Sequence, residues 1–135
     1  MGDLNADVVE AACLAHDLGH PPFGHIAEQE LDRLATAHGL PDGFEGNAQS
    51  FRIVSSLASA SSTGPGLNLT RASLNAILKY PWLRGEHPKK RDKWGAYGSE
   101  REMFLWARAI SPSEANRRFE QSPEAKITDL ADDIT

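Results

Sequence analysis

Residues 16–28 read HDLGHPPFGHIAE, and this stretch decides the local fold because one helical pattern stops and another starts within it. The apolar positions that precede it fall on a single helical stripe, which predicts a helix over residues 5–18. Gly19 and the pair Pro21-Pro22 end that helix. A second helix is predicted over about residues 23–38. The stretch therefore joins two helices, and it carries three histidines and two carboxylates.

Helical periodicity continues along the rest of the chain. It predicts helices over residues 44–60, 69–80 and 99–110, a short helix between residues 112 and 123, and a last helix that begins after residue 123. Residues 59–66 and 84–96 show no such period and are predicted to form loops. Strand signals are nearly absent, since no segment alternates apolar and polar residues over several β-branched positions. The sequence predicts an all-α fold.

Composition and charge restrict the class of protein. The chain has 135 residues, enough for one domain with a core of moderate size. Its 40% hydrophobic and 24% charged residues are close to the averages of globular proteins. The net charge of -5 offers no overall positive field, so neither nucleic acid nor an anionic membrane is expected as a partner. No segment reaches the ~18 apolar residues of a membrane span, and a cytoplasmic location is expected.

The ionisable side chains crowded into residues 16–28 indicate a metal or catalytic site. His16 and Asp17 point roughly 100° apart on a helix, so one cation at the helix edge can take a ligand from each. Imidazole and carboxylate ligands suit divalent ions such as Mn²⁺, Fe²⁺, Co²⁺ or Mg²⁺. A further ligand is expected from Asp132 or Asp133 in the last helix, where an unpaired buried carboxylate would be costly. Taken alone, the His-Asp pair is explained about as well by chance.

His25 and Glu28 lie three residues apart on the second predicted helix, hence on one of its faces. A carboxylate beside an imidazole fixes the tautomer of the ring and stabilises its cation, as an acid–base group requires. The alternative is an ordinary solvated pair. On the third predicted helix, Asn47, Gln49 and Arg52 are candidates to contact a base, a sugar or the outer shell of a metal, and helix capping explains them equally well.

Two long stretches of the chain resemble, in order, the bacterial deoxyguanosine triphosphate triphosphohydrolases and their broader dNTPase relatives. They are AHDLGHPPFGH at residues 15–25 and FEGNAQSFRIV at residues 44–54. Three shorter matches follow, GLNLT at 66–70, ILKYPW at 77–82 and DLADDIT at 129–135. The resemblance covers essentially the whole chain.

This resemblance implies an all-α HD domain that binds a divalent metal through an early His, a His-Asp pair and a late Asp. The last three ligands correspond to His16, Asp17 and Asp132, with Asp133 as the alternative for the late position. In the family the early His lies upstream of the region that matches Met1, and further helices follow the region that matches Thr135. We therefore expect the chain to be the central part of an HD domain, truncated at both ends.

The resemblance also implies a reaction, the hydrolysis of a dGTP-like deoxynucleoside triphosphate to the deoxynucleoside and inorganic triphosphate. His25, oriented by Glu28, would exchange a proton with the leaving oxygen or with the attacking water. Lys79, Tyr80 and Lys93 are implied to surround the phosphates. For Lys93, a solvated position in a loop explains the residue equally well.

Two alternative functions remain at this point. The first is another HD phosphohydrolase, which would act on nucleoside monophosphates, cyclic nucleotides or guanosine polyphosphates. The second is an inactive remnant that serves nucleotide binding or oligomerisation. The complete protein is expected to be a homo-oligomer. The isolated chain is expected to be weakly active or inactive, because the loss of an imidazole ligand weakens metal binding.

Overall fold

A computed structural model describes residues 3–60, 64–109 and 112–134. Within these residues the chain forms six α-helices, which are α1 (Ala6–Ala15), α2 (Gly24–Ala37), α3 (Gly46–Arg52), α4 (Arg71–Ile77), α5 (Arg101–Arg108) and α6 (Pro123–Ile134). A π-helical turn (Ile53–Leu57) continues α3, and 3-10 turns (Gly98–Glu100, Pro112–Arg117) precede α5 and α6. The described residues contain isolated β-bridges but no strand, so the all-α prediction is confirmed.

Residues 61–63 of one predicted loop and residue 110 of one predicted helix lie outside the described residues. The predicted loop over residues 84–96 contains no helix, as expected. The longest described helix, α2, has 14 residues. None of the helices that the structure describes combines the length and the apolar character that a bilayer crossing demands.

Side-chain caps fix where three helices begin. Asn5, Glu45 and Thr70 each accept a backbone N–H from the first turn of α1, α3 and α4 respectively. Such a cap satisfies a donor that the helix leaves unpaired and contributes about 1 kcal/mol. By contrast, α2 follows Phe23, whose φ of 71° is left-handed and whose side chain makes no capping bond.

Several helices end earlier than their periodicity predicts, and α1 and α4 are the two beside the site. α1 stops at Ala15 rather than at Leu18, because the chain enters hydrogen-bonded turns toward Gly19 and the two prolines. Leu18 is therefore 51% exposed and is not a core residue. α4 stops at Ile77 rather than at residue 80, because Leu78 leaves helical geometry with a ψ of 82°.

The core forms where α1 packs on α4 and α6, with α5 behind α4. Its largest cluster contains Ala12, Ala15, Phe51, Val54, Leu74, Ile77, Leu78, Phe104 and Ala107. A smaller cluster of Ala48, Trp82, Trp94 and Tyr97 connects α3 to the loop that follows α4. Burial of each Leu or Phe side chain contributes ~1.5–3 kcal/mol. These two clusters hold the end of α1 and the helix α3 beside one cleft.

Candidate active site

A cleft of about 430 Å³ lies where the end of α1 and the starts of α2 and α3 face α6. Its wall is formed by His16, Asp17, His20, Pro21, Gly24, His25, Glu28, Asn47, Lys79, Tyr80, Lys93 and Asp132. The structure thus brings together nine of the residues for which the sequence or the resemblance suggested a metal, catalytic or substrate-binding role, and it leaves out Gln49, Arg52 and Asp133.

Three of these residues form a group that can hold a metal ion. The Nε2 atom of His16 lies 3.1 Å from Oδ2 of Asp17 and 3.4 Å from Oδ1 of Asp132. One ligand atom from each of the three lies within 4.8 Å of the others. Asp133, the alternative for the late ligand, is exposed and is not part of this group. One nitrogen and two oxygen ligands suit a divalent cation.

The orientation of His16 fits a metal ligand. Its Nδ1 atom lies 2.6 Å from the carbonyl oxygen of Cys13, so Nδ1–H donates there. This bond leaves the lone pair of Nε2 directed at Asp17 and Asp132. A second ring nitrogen bonded to a carbonyl is the usual support of a metal-binding histidine, since it fixes both the tautomer and the ring plane.

The turn that carries His16 is fixed to α3 by Ser50. The Ser50 hydroxyl donates to the His16 carbonyl at 2.9 Å and accepts the Gly19 N–H at 2.9 Å. Gly19 also approaches the α3 backbone so closely that any side chain would collide with Gly46 and Ser50. Ser50 is fully buried. The position of the His-Asp pair thus depends on α3 as well as on α1.

His25 and Glu28 form the predicted pair at the start of α2. His25 Nδ1 lies 3.4 Å from Glu28 Oε2, and the side chain of His25 is 81% exposed while that of Glu28 is 9% exposed. Lys93 Nζ donates to the other Glu28 oxygen at 3.1 Å. Burial alone would raise the pKa of Glu28, but the hydrogen bond and charge of Lys93 outweigh it and hold the pKa below its usual value. Glu28 therefore stays ionised and can orient an imidazolium.

Lys79 contacts the candidate metal ligand directly. Its Nζ atom lies 2.7 Å from Asp129 and 3.1 Å from Asp132. Burial would lower the pKa of Lys79, but its hydrogen bonds to both aspartates raise the pKa well above the usual range. The hydrogen bond from Lys79 lowers the pKa of Asp132. Both groups are therefore charged at neutral pH.

The surroundings of Asp132 differ from the sequence expectation. Leu130 and Ile134 on α6 are 60% and 78% exposed, and the Asp132 side chain is 37% exposed. The expectation of a buried helix around this carboxylate is therefore wrong. Asp132 is compensated by Lys79 and by His16 rather than buried without a partner.

The remaining predicted substrate residues, Lys93, Asn47 and Tyr80, also line the cleft. Lys93 lies between Glu28 at 3.1 Å and Glu45 at 3.6 Å, so it is engaged in the cleft rather than solvated in its loop. Asn47 Nδ2 donates to Glu45 at 2.9 Å. Burial raises the pKa of Tyr80, so its phenol remains a proton donor at neutral pH.

Comparison with known proteins identifies the family of the chain. The family model described as HD domain matches residues 1–135. The chain belongs to the HD domain family. The resemblance seen in the sequence is confirmed by this match and by the relatives of the chain.

Three relatives of this HD domain carry the name deoxyguanosinetriphosphate triphosphohydrolase-like protein. The Streptomyces coelicolor protein is 50% identical over 133 residues, covering 95% of this chain and 30% of its own length. The Bifidobacterium longum protein is 44% identical over 137 residues, covering 95% of this chain and 27% of its own length. The Corynebacterium efficiens protein is 41% identical over 136 residues, covering 97% of this chain and 30% of its own length. The HD-domain chain thus spans under a third of the length of these relatives.

Two polar residues of α3 do not reach the cleft of the HD domain. Gln49 and Arg52 line a separate groove of about 600 Å³, together with Leu31, Leu34 and other apolar residues. The structure therefore does not bring Gln49 and Arg52 together with Asn47. Asn47 faces the cleft because it lies on the other side of this short helix.

Sequence reasoning missed three residues that support the HD-domain site. They are Ser50, which fixes the turn, Glu45, which contacts Lys93, and Asp129, which contacts Lys79. Helical spacing offered a signal only for Asp129, which lies three residues before Asp132 and hence on the same face of α6.

Proposed function

We propose that this HD-domain chain carries the active site of a metal-dependent nucleotide phosphohydrolase that converts deoxynucleoside triphosphates, dGTP among them, to the deoxynucleoside and inorganic triphosphate. The convergence of His16, Asp17 and Asp132 in a cleft that also holds the His25–Glu28 pair carries the proposal. The names of the relatives supply the substrate class.

The charge of the cleft wall supports the proposed role of a cation. Three carboxylates, those of Asp17, Glu28 and Asp132, stand against the two lysines Lys79 and Lys93. This wall repels a triphosphate, whereas one added divalent ion reverses the sign of its formal charge. His16, Asp17 and Asp132 would hold such an ion, which would supply polarisation of a phosphoryl oxygen and help to activate water.

The chain's own residues then bind the phosphates and move the proton. Lys79 and Lys93 offer ammonium groups and Tyr80 offers a phenol hydroxyl along the cleft wall. The Nδ1 atom of His25 faces ionised Glu28, which leaves Nε2 as the nitrogen that exchanges a proton. That proton goes to the leaving 5′ oxygen or comes from the water that attacks the α-phosphorus.

Two further features of the complete protein belong to this proposal. A homo-oligomeric complete protein and a cytoplasmic location both accord with an enzyme of nucleotide metabolism.

Product identity tests the proposed reaction. The chain is incubated with Mn²⁺ and dGTP, and inorganic triphosphate, pyrophosphate and phosphate are separated by anion-exchange chromatography. We expect slow release of triphosphate and deoxyguanosine, abolished by Asp132→Asn and retained by the matched control Asp133→Asn, because Asp132 lies in the metal group beside His16 and Asp133 does not. Pyrophosphate or phosphate as the product would contradict the proposed substrate chemistry. Mn²⁺ uptake without any hydrolysis would instead favour a nucleotide-binding role.

A further inference from the structure

Glu45 is a buried carboxylate immediately behind the cleft wall. Its side chain is fully buried, yet it accepts hydrogen bonds from Asn47 Nδ2 and from the Ala48 N–H, both at 2.9 Å. Its Oε1 atom also lies 3.6 Å from Lys93 Nζ. Capping of α3 explains only the Ala48 contact, and serine or threonine would provide that cap without burying a charge. The other two contacts reach residues that line the cleft.

The backbone around this carboxylate is held as firmly as its side chain. The buried Tyr97 hydroxyl lies 3.2 Å from both the N–H and the carbonyl oxygen of Glu45, so it accepts from one and donates to the other. Lys93 is fixed in a similar way, because Trp82 Nε1 donates to its carbonyl oxygen at 2.6 Å. Glu45 and Lys93 therefore meet from two anchored segments.

Lys93 is shared by two carboxylates of different character. Burial would lower its pKa, but the hydrogen bond to Glu28 and the charges of Glu45 and Glu28 raise the pKa above its usual value. Burial raises the pKa of Glu45 to about 7, against the effects of Asn47, Ala48 and Lys93. A group that is kept ionisable at such a cost, beside a cleft, is more typical of a functional site than of a cap.

We infer that Glu45 is a positioning residue of the proposed reaction, whose buried carboxylate holds the ammonium of Lys93 and the amide of Asn47 at the cleft wall, where both meet the substrate. This inference rests on the proposed function, since Lys93 and Asn47 matter only if the cleft receives a nucleotide. Without this carboxylate, Lys93 is held by Glu28 alone and Asn47 loses its acceptor.

The reactivity of lysine amines tests the geometry without any substrate. The folded chain is treated with acetic anhydride, and acetylation rates are measured by mass spectrometry. In Glu45→Gln we expect Lys93 to react severalfold faster than in the wild type, because one of its two carboxylate partners is lost. Lys79, which pairs with Asp129 and Asp132, serves as an internal reference and keeps its rate.

A matched control separates positioning from stability. Glu100→Gln alters a second buried carboxylate near Tyr97, which is 6% exposed and contacts Ser99 and Arg52 away from the cleft. It should leave the Lys93 rate unchanged. If Glu45→Gln does not fold, Glu45→Asp replaces it, because aspartate keeps the charge and the cap but has a shorter side chain. Lys93 should also be acetylated faster in this variant. An unchanged Lys93 rate in a folded Glu45 variant would overturn the inference.

Calorimetric titration with dGTP and Mn²⁺ completes the experiment. We expect the wild type and Glu100→Gln to bind dGTP, with Lys93 protected from acetylation in the complex, and Glu45→Gln to bind severalfold more weakly. Equal affinity and equal protection in Glu45→Gln would refute the positioning role. If the wild type does not bind dGTP although Lys93 is acetylated faster in Glu45→Gln, the proposed function is refuted instead.

Discussion

The Nε2 atom of His16 lies 3.4 Å from Oδ1 of Asp132, although the two residues stand near opposite ends of the chain. The contact exists because α1 packs along α6, which brings the turn after α1 level with the last turns of α6. The relative position of these two candidate metal ligands is thus determined by helix packing rather than by local sequence. The site consequently depends on contacts that lie outside the metal group itself.

Ser50 is the first such contact, and its removal should harm both stability and metal binding. Ser50→Ala deletes the hydroxyl that bridges the His16 carbonyl and the Gly19 N–H, which leaves buried groups unpaired and costs about 1–3 kcal/mol. We expect a lower melting temperature and weaker Mn²⁺ binding by electron paramagnetic resonance. Ser73→Ala, which removes a hydroxyl that accepts a hydrogen bond from Thr70 and does not contact the turn, should reduce stability alone. Equal loss of metal affinity in both variants would contradict this role.

Lys79 should affect metal and nucleotide in opposite directions. Its ammonium lies 3.1 Å from Asp132, so it repels a cation bound there while it attracts phosphate. Lys79→Met should tighten Mn²⁺ binding on the order of fivefold, from the ~1 kcal/mol that a unit charge contributes near water. The same change should weaken dGTP binding about tenfold, the effect of one charged hydrogen bond.

Titration calorimetry with each ligand measures both effects of Lys79→Met. Lys126→Met is the control, because Lys126 lies exposed on α6 and does not line the cleft. Weaker binding of both Mn²⁺ and dGTP in Lys79→Met would show that Lys79 maintains the structure of the site instead.

The sequence predicted the helices and most of the site, but not the contacts that hold it. Periodicity located α1 to α6 because apolar stripes reflect burial, and it failed at Leu18, where the stripe continued beyond the turn. Ligand chemistry and resemblance identified His16 and Asp132. Ser50 and Glu45 were missed because a buried serine or glutamate has no local pattern, and only tertiary packing gives each its partner.

The two sides of α3 should respond differently to substitution. Asn47 faces the cleft, whereas Gln49 faces the separate groove. We expect Asn47→Ala to weaken dGTP binding about fivefold, from the ~1 kcal/mol of one hydrogen bond. Gln49→Ala, two positions along the same helix, should leave the affinity unchanged. A larger effect of Gln49→Ala in a calorimetric titration would place the nucleotide in the other groove.

The pH dependence of stability should reveal Glu45. Burial raises the pKa of Glu45 from 4.5 to about 7, so between these values the folded chain holds a proton that the unfolded chain has lost. The contribution of Glu45 to the free energy of unfolding is therefore fully present below pH 4.5 and is lost as pH rises toward about 7.

We expect Glu45→Gln, which cannot titrate, to match the wild type in free energy of unfolding near pH 4.5 and to exceed it by roughly 3 kcal/mol at pH 8. Urea titrations across this range give the difference, and Glu100→Gln controls for loss of a buried carboxylate. The opposite result would be a free energy of unfolding that increases for the wild type, relative to Glu45→Gln, as pH rises. It would mean that Lys93 stabilises the charged Glu45 carboxylate more than burial destabilises it. We expect Glu45→Gln to be more stable than the wild type and to bind dGTP more weakly. This result would show that the Glu45 carboxylate supports binding in the cleft although it lowers the stability of the fold.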